Sequence, residues 1–244
     1  MDEHPETNIE ELSVQERLLY EMRFGAYREN ARLPRESALA QELDISRTQL
    51  RDSLAELERE GFISRRQGLG TIINRHVLNV PVRMDLEIEF MEMVRRSGCK
   101  PAEKLVKVSS VLSASAAQKL GIGRTDEMLF VSRIVTADGK PVIYCEDYIP
   151  KAFIKDKDYS DMDLEQPIFV FLKEKCRRDA YLDVTEIRPV AARANVASRL
   201  GVSEGTPLLF MDEVDYDFDG TPVMYSRQFY VDGVIAHNVV RRKI

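Results

Sequence analysis

Leu50, Leu54 and Leu57 recur at the i, i+4, i+7 spacing of one helical face. Ser46 stands where a cap belongs and Gly61 where the helix must stop, so the pattern predicts a helix from Ser46 to about Glu60. Leu18, Leu19, Met22 and Ala26 predict an earlier helix near Val14 to Arg28. Leu39, Ala40 and Leu43 follow Pro34, which suits a first-turn position, and predict another between the two. Phe62 to Ser64 and Thr71 to Ile73 then read as a short hairpin turned by Gly68 and Gly70.

The pattern changes after Pro81, where strand-like runs with aspartate-glycine turns dominate. His76 to Arg83 reads as a linker, because Pro81 interrupts helix and sheet alike. The expected division is therefore 1–75, a linker at 76–84, and 85–244. The second part contains an internal repeat. Leu120, Gly121 and Phe130 match Leu200, Gly201 and Phe210; Asp138, Gly139, Pro141, Val142 and Tyr144 match Asp219, Gly220, Pro222, Val223 and Tyr225 after one inserted residue. Each unit predicts a short helix, a glycine stop and a β-hairpin, and two such hairpins sharing a sheet must pair antiparallel. Helices near Asp85 to Arg96 and Gln166 to Arg177, with strands near Lys104 to Val111 and Tyr181 to Ala191, complete an α+β domain in which helices cover a sheet.

Composition narrows the chemistry. The net charge of −6, from 35 basic and 41 acidic residues, gives no global attraction to nucleic acid, so any such binding needs a local patch. Cys99, Cys145 and Cys176 are odd in number and lack metal-ligand spacing, which points to reduced thiols and no metal site. No apolar run approaches a membrane span, and the acidic N-terminus carries no apolar leader pattern, so a cytoplasmic location is expected. His4, His76 and His237 fall in a tail, the linker and a near-terminal strand, with no nucleophile–base constellation. There is no phosphate loop after a strand, and no cofactor is expected.

The local patch exists. Arg47 and Arg51 lie four apart on the third helix, where they can reach phosphates or a guanine edge. Thr48 and Gln49 offer hydrogen-bonding groups at the helix start, and Ser46 with the helix N-terminus can hold a phosphate. Arg65 and Arg66 make the hairpin basic, and Gly68 at its tip permits close backbone approach. Solvation of an ordinary surface helix explains an isolated arginine pair better, but helices and hairpin occur here as a set. In the second domain, Arg133 sits between Val131 and Val135 on one strand face and so needs an anionic partner. Glu146, on the returning strand beside Tyr144 and Tyr148, is the expected partner. Ser226 and Glu186 are further candidates, each read first as solvent-facing or as a local hydrogen bonder.

LPRESALAQELDISRTQLRDSLAELEREGFISRRQGLGTII resembles the winged helix-turn-helix of the GntR family of bacterial transcription regulators. The resemblance implies that Arg47, Thr48, Gln49 and Arg51 lie on the recognition helix, with Gln67 and Gly68 at the wing. The family usually has arginine at the position of Ser37, and Arg35 is the nearest substitute. Phe90, Gly98, RIVTADGKPVIYCEDYIP and YSRQFY resemble the UTRA effector-binding domain of the HutC-type subfamily. The implied fold is a winged helix-turn-helix plus a chorismate-lyase-like antiparallel sheet with covering helices. The implied function is a homodimeric, ligand-responsive regulator of palindromic operator DNA, with Arg133 and Tyr230 lining the effector pocket. The resembled C-terminal fold also includes a lyase, so the competing reading is a small-molecule enzyme with an accessory nucleic-acid-binding domain. Subfamily members that bind sugar phosphates carry a second arginine where this chain has Val135, and serine where it has Glu89. The expected effector is therefore a sugar derivative or carboxylate with one negative charge or none, not a dianionic phosphate.

Overall fold

The computed structural model describes residues 12–241, in two compact units. The acidic N-terminal segment, His4 included, lies outside the described residues. One unit runs through Asp85 and resumes at Asn238; the other is Leu86–His237.

The first unit holds α1 (Val14–Arg23), α2 (Glu36–Glu42), α3 (Arg47–Arg59), β1 (Ile63–Arg66), β2 (Gly70–Ile73) and a one-turn helix α4 (Arg75–Leu78). Its core is the predicted stripe: Leu50, Leu54 and Leu57 of α3 are buried, together with Leu18 and Met22 of α1 and Leu39 of α2. Full burial of each such leucine contributes about 1.5–3 kcal/mol. Helix α1 stops five residues earlier than its pattern suggested, because the Glu21 carboxylate accepts the Ala26 N–H at 2.8 Å and holds a turn. Arg35, not Pro34, precedes the first residue of α2.

The stretch expected to be a linker belongs to this unit. Val77, Leu78, Val82 and Arg83 are all buried. Arg75 donates to the carbonyls of Met22, Tyr27 and Asn30, tying α4 to the end of α1. Arg83 donates to the Glu60 carbonyl at 2.7 Å, pairs with Asp85 and lies over the Phe62 ring. The returning C-terminal segment closes on it: Met84 N–H donates to the Asn238 carbonyl at 2.8 Å, and Asn238 Nδ2 donates to the Val82 carbonyl at 3.2 Å. Proline punctuation correctly excluded helix and sheet here, but a packed extended segment has the same local signature as a linker.

The second unit is built on a six-stranded antiparallel sheet. Its strands are β3 (Pro101–Val111), β4 (Met128–Ala137), β5 (Lys140–Pro150), β6 (Leu182–Ala191), β7 (Pro207–Tyr216) and β8 (Pro222–Val231). The spatial order is β3-β4-β5-β8-β7-β6, two three-stranded halves meeting at β5 and β8. Each half also carries a helix between its first two strands, α6 (Ala114–Leu120) and α9 (Ala194–Leu200). The repeat is thus a structural duplication. Asp138 and Gly139 both take positive φ, as a two-residue type I′ turn demands. The inserted residue in the second copy lengthens its turn, where the Asp217 carboxylate accepts the N–H groups of Asp219 and Thr221.

Strand alternation sends neighbours to opposite faces. Phe210, Phe229 and Tyr144 pack under α9, and Val214 and Tyr225 under α6. The other face carries Leu129, Val131, Ile149 and Met224 beneath two one-turn helices, α7 (Asp161–Leu164) and α8 (Ile168–Phe171). The remaining helix α5 (Phe90–Arg96) packs against β3 and β4 and starts five residues later than its pattern suggested. The expected long helix at 166–177 is only α8 followed by a wide π turn over Leu172–Cys176, ended by Arg177 at φ 56°.

Candidate nucleic-acid interface and ligand site

Helix α3 begins with a reciprocal cap. Gln49 N–H donates to Ser46 Oγ at 3.2 Å, and Gln49 Oε1 accepts from the Ser46 N–H at 3.2 Å. Ser46 and Gln49 therefore fix where the helix starts, and their side chains are engaged with one another. Arg47 and Thr48 are exposed beside them. Arg51 is exposed too, but its Nε donates to Glu36 of α2 at 2.9 Å, which holds it between the two helices. Arg35 is exposed at the start of α2. Gln67 and Gly68 are exposed at the tip of the β1–β2 hairpin, where Leu69 N–H donates to the Arg66 carbonyl at 3.0 Å. Of the two hairpin arginines, Arg66 is exposed. Arg65 is half-buried: its Nε and backbone N–H both donate to Glu58 of α3 at 2.8 Å, securing the hairpin to the helix.

The five candidates in the sheet domain divide between its two faces. Arg133, Ser226 and Tyr230 share one; Glu146 and Glu186 point to the other. The expected Arg133–Glu146 pair does not exist. Glu146 binds Arg227 at 2.9 Å and the Tyr144 hydroxyl at 3.1 Å, while Glu186 is exposed on edge strand β6. Glu186 and Arg227, with Lys119, Arg188 and Asp212, line an open groove of about 730 Å³ on that face. Lys119 pairs with Asp212 there at 2.9 Å.

Arg133, 2% exposed, takes its anions from its own face. Its Nε lies 3.2 Å from Glu103, its Nη1 3.4 Å from Asp147, and its Nη2 donates to the Leu164 carbonyl at 3.0 Å. Ser226 is buried, not solvent-facing, and donates to Asp147 at 2.6 Å. Tyr230 is buried and donates to Gln228 at 2.6 Å; Gln228 in turn donates to Glu213 at 2.9 Å. Phe90 and His237 meet the Tyr230 ring edge-on at 6.4 and 4.7 Å. Burial holds the Tyr230 hydroxyl well above its ordinary range. Burial and the neighbouring Asp183 charge push the Glu213 carboxyl up to about 7.

Glu103, Asp147, Asp183, Glu213 and Asp215 also lie on this face, and nothing in their immediate sequence surroundings joins them to Arg133. The usable signal was the alternation of Glu213 and Asp215 within a strand pattern, which puts two acids on the same face. Their shared face with Arg133 comes only from pairing across four strands.

A helix-turn-helix with an exposed polar start, followed by a hairpin wing, is the architecture of a DNA-binding unit, and the duplicated sheet forms a second unit of its own. Residues 11–73 match the bacterial regulatory proteins of the gntR family, and residues 96–232, more than half the chain, match the UTRA domain. The chain belongs to the GntR family of bacterial transcription regulators that carry a UTRA domain, and it is a ligand-responsive DNA-binding regulator rather than an enzyme. The HTH-type transcriptional repressor NagR of Bacillus subtilis is 23% identical over 218 residues, covering 89% of this chain and 88% of NagR. YydK of Bacillus subtilis shares the fold with a TM-score of 0.70 at 20% identity, over 87% of this chain and 91% of that one. PhnF of Mycobacterium smegmatis does so at 0.60 and 22%, over 86% and 91%.

Proposed function

We propose that this regulator represses its target genes as a cytoplasmic homodimer bound to a palindromic operator, with Arg47, Thr48 and the wing reading the DNA and the Arg133 face of the sheet receiving the effector. The exposed start of α3, rigidly capped by Ser46 and Gln49 over a buried leucine stripe, carries the DNA half of this reading. One such helix reads only a few base pairs, so two copies related by a two-fold axis are needed for a specific site. Edge strand β6 supports the dimer: Leu182, Val184 and Ile187 are exposed along it, beside exposed Tyr181 and Phe218. The relative NagR is a repressor, which supports the same sign of control here.

Control also has a covalent route. His237, packed against Tyr230, is followed directly by Asn238, which holds the Arg83 segment of the DNA-binding unit. An effector that moves Tyr230 would thus pull on a strand-like clasp next to α3.

Arg47→Ala in the full chain tests the DNA assignment. The expected result is weaker binding to an operator fragment and a salt dependence, d log K/d log[salt], shallower by about 0.9 for one lost phosphate contact. Unchanged affinity and slope would mean that α3 does not engage DNA through its start.

A further inference from the structure

On the Arg133 face, Asp215 of β7 is 1% exposed, and neither of its carboxylate oxygens has a hydrogen-bond partner among the described residues. Buried carboxylates left this way are costly, and proteins retain them where something else completes them. The register makes the position worse. Asp215 stands directly opposite Asp183 of β6, two residues with like charge on one face of an antiparallel pair. Glu213 lies on the same face of β7, and Asp147 faces Ser226, the cross-strand partner of Glu213. Glu87, ahead of α5, adds its charge to both Glu213 and Asp215.

Arg133, a cation on the same face, does not resolve this. Arg133 already divides its guanidinium among Glu103, Asp147 and the Leu164 carbonyl. One guanidinium stands there against two carboxylates, so the face keeps a negative surplus even at the Arg133 end. Sugar-phosphate and dicarboxylate effectors would meet a surplus of carboxylates here.

We propose that the effector carries a protonated amine, and that Asp215, Asp183 and Glu213 receive it on the Arg133 face of the sheet. The proposal rests on the reading of this face as the sensor site. A metal ion is a poorer fit than an organic cation, since among the described residues no three acidic, histidine or cysteine side chains are grouped closely enough to hold one. An ammonium group needs less convergence. It offers three donors to separate acceptors, and the two oxygens of Asp215 lack a partner among the described residues. Burial and the neighbouring carboxylates raise the Asp215 carboxyl far above its ordinary range, and a cation beside it would offset both causes.

Thermal unfolding of the full chain at pH 7.5, with millimolar 1,4-diaminobutane, n-butylamine, butyrate or glucose 6-phosphate, tests this. The diamine is expected to raise Tm by about 2–4 °C at a several-fold excess over its Kd, butylamine by less, and the two anions not at all. Asp215→Asn should weaken diamine affinity about tenfold or more, since it removes a charge-assisted acceptor, whereas exposed Glu204→Gln should leave it unchanged. Should Asp215→Asn fail to fold, Glu213→Gln gives the same comparison. Stabilisation by the anions alone, by no probe, or by the diamine equally in wild type and Asp215→Asn overturns the cation assignment. Operator affinity measured on the same samples separates the two readings. Diamine binding that leaves operator affinity unaltered supports the cation site and removes its sensor role; release of operator by an anion keeps a sensor and removes the cation site.

Discussion

Glu146 and Asp147 are consecutive residues of β5, and their surroundings summarise how the two faces of the sheet differ. Glu146 enters a face where charges are matched, pairing with Arg227 beside the Lys119–Asp212 pair and near Arg188. Asp147 enters a face where Arg133 is the central cation and carboxylates come from β3, β5, β6 and β7. On the matched face each buried carboxylate has a cation of its own, Arg227 for Glu146 and Lys119 for Asp212. The other face sets one cation, Arg133, against the carboxylates of Glu103 and Asp147 and leaves Asp215 without a partner among the described residues. Polar residues inside a domain are ordinary when every group finds a partner; a face that leaves one buried carboxylate without one points to function.

Three measurements would sharpen or collapse this contrast. The largest effect is expected from Arg133→Ala, which leaves Asp147 and Glu103 without their cation. Such a buried, uncompensated pair costs about 3–5 kcal/mol, read as a lower urea midpoint. A loss below about 1 kcal/mol would show that Arg133 does not neutralise that end of the face.

Glu213→Gln should act through pH, with an effect on the order of 1–3 kcal/mol. A carboxyl raised from its ordinary value to about 7 binds its proton more tightly folded than unfolded. Its contribution to stability is therefore present in full below about pH 4.5 and lost as pH rises through about 7. His237, lowered by burial, acts in the opposite direction as pH falls below about 6.5, so the difference between wild type and variant is the quantity to follow. Wild type should lose more stability than Glu213→Gln between pH 5 and 7.5; parallel profiles would place the repulsion elsewhere.

The smallest effect is expected from Arg227→Ala on the matched face. The Arg227 side chain is 38% exposed, so solvent screens its pair with Glu146 and the loss should be about 1 kcal/mol or less. A loss as large as that of Arg133→Ala would mean that both faces depend on charge balance in the same way.

The DNA-binding unit was the more legible part of the chain because its determinants are local. A leucine stripe, a Ser46 cap, a glycine stop and a hairpin occupy consecutive positions, and each element forms almost where its pattern placed it. The repeat likewise announced two hairpins in one sheet, and the duplicated half-sheets follow from it. Arg65 shows where local reading stopped, since its engagement with Glu58 depends on how the hairpin folds back on α3.

By itself, then, the sequence determined the family, the helix-turn-helix with its hairpin and the antiparallel class of the sheet, all properties carried by neighbours along the chain. Tertiary structure alone decided that residues 76–84 and the returning segment at Asn238 complete the DNA-binding unit, because that packing joins positions more than 150 residues apart. It also decided which acids meet Arg133. Side chains alternate along a strand, so a one-residue change of register would exchange Glu146 for Asp147 and reverse the chemistry of the site. That register is set by pairing across the sheet, and no single strand contains it.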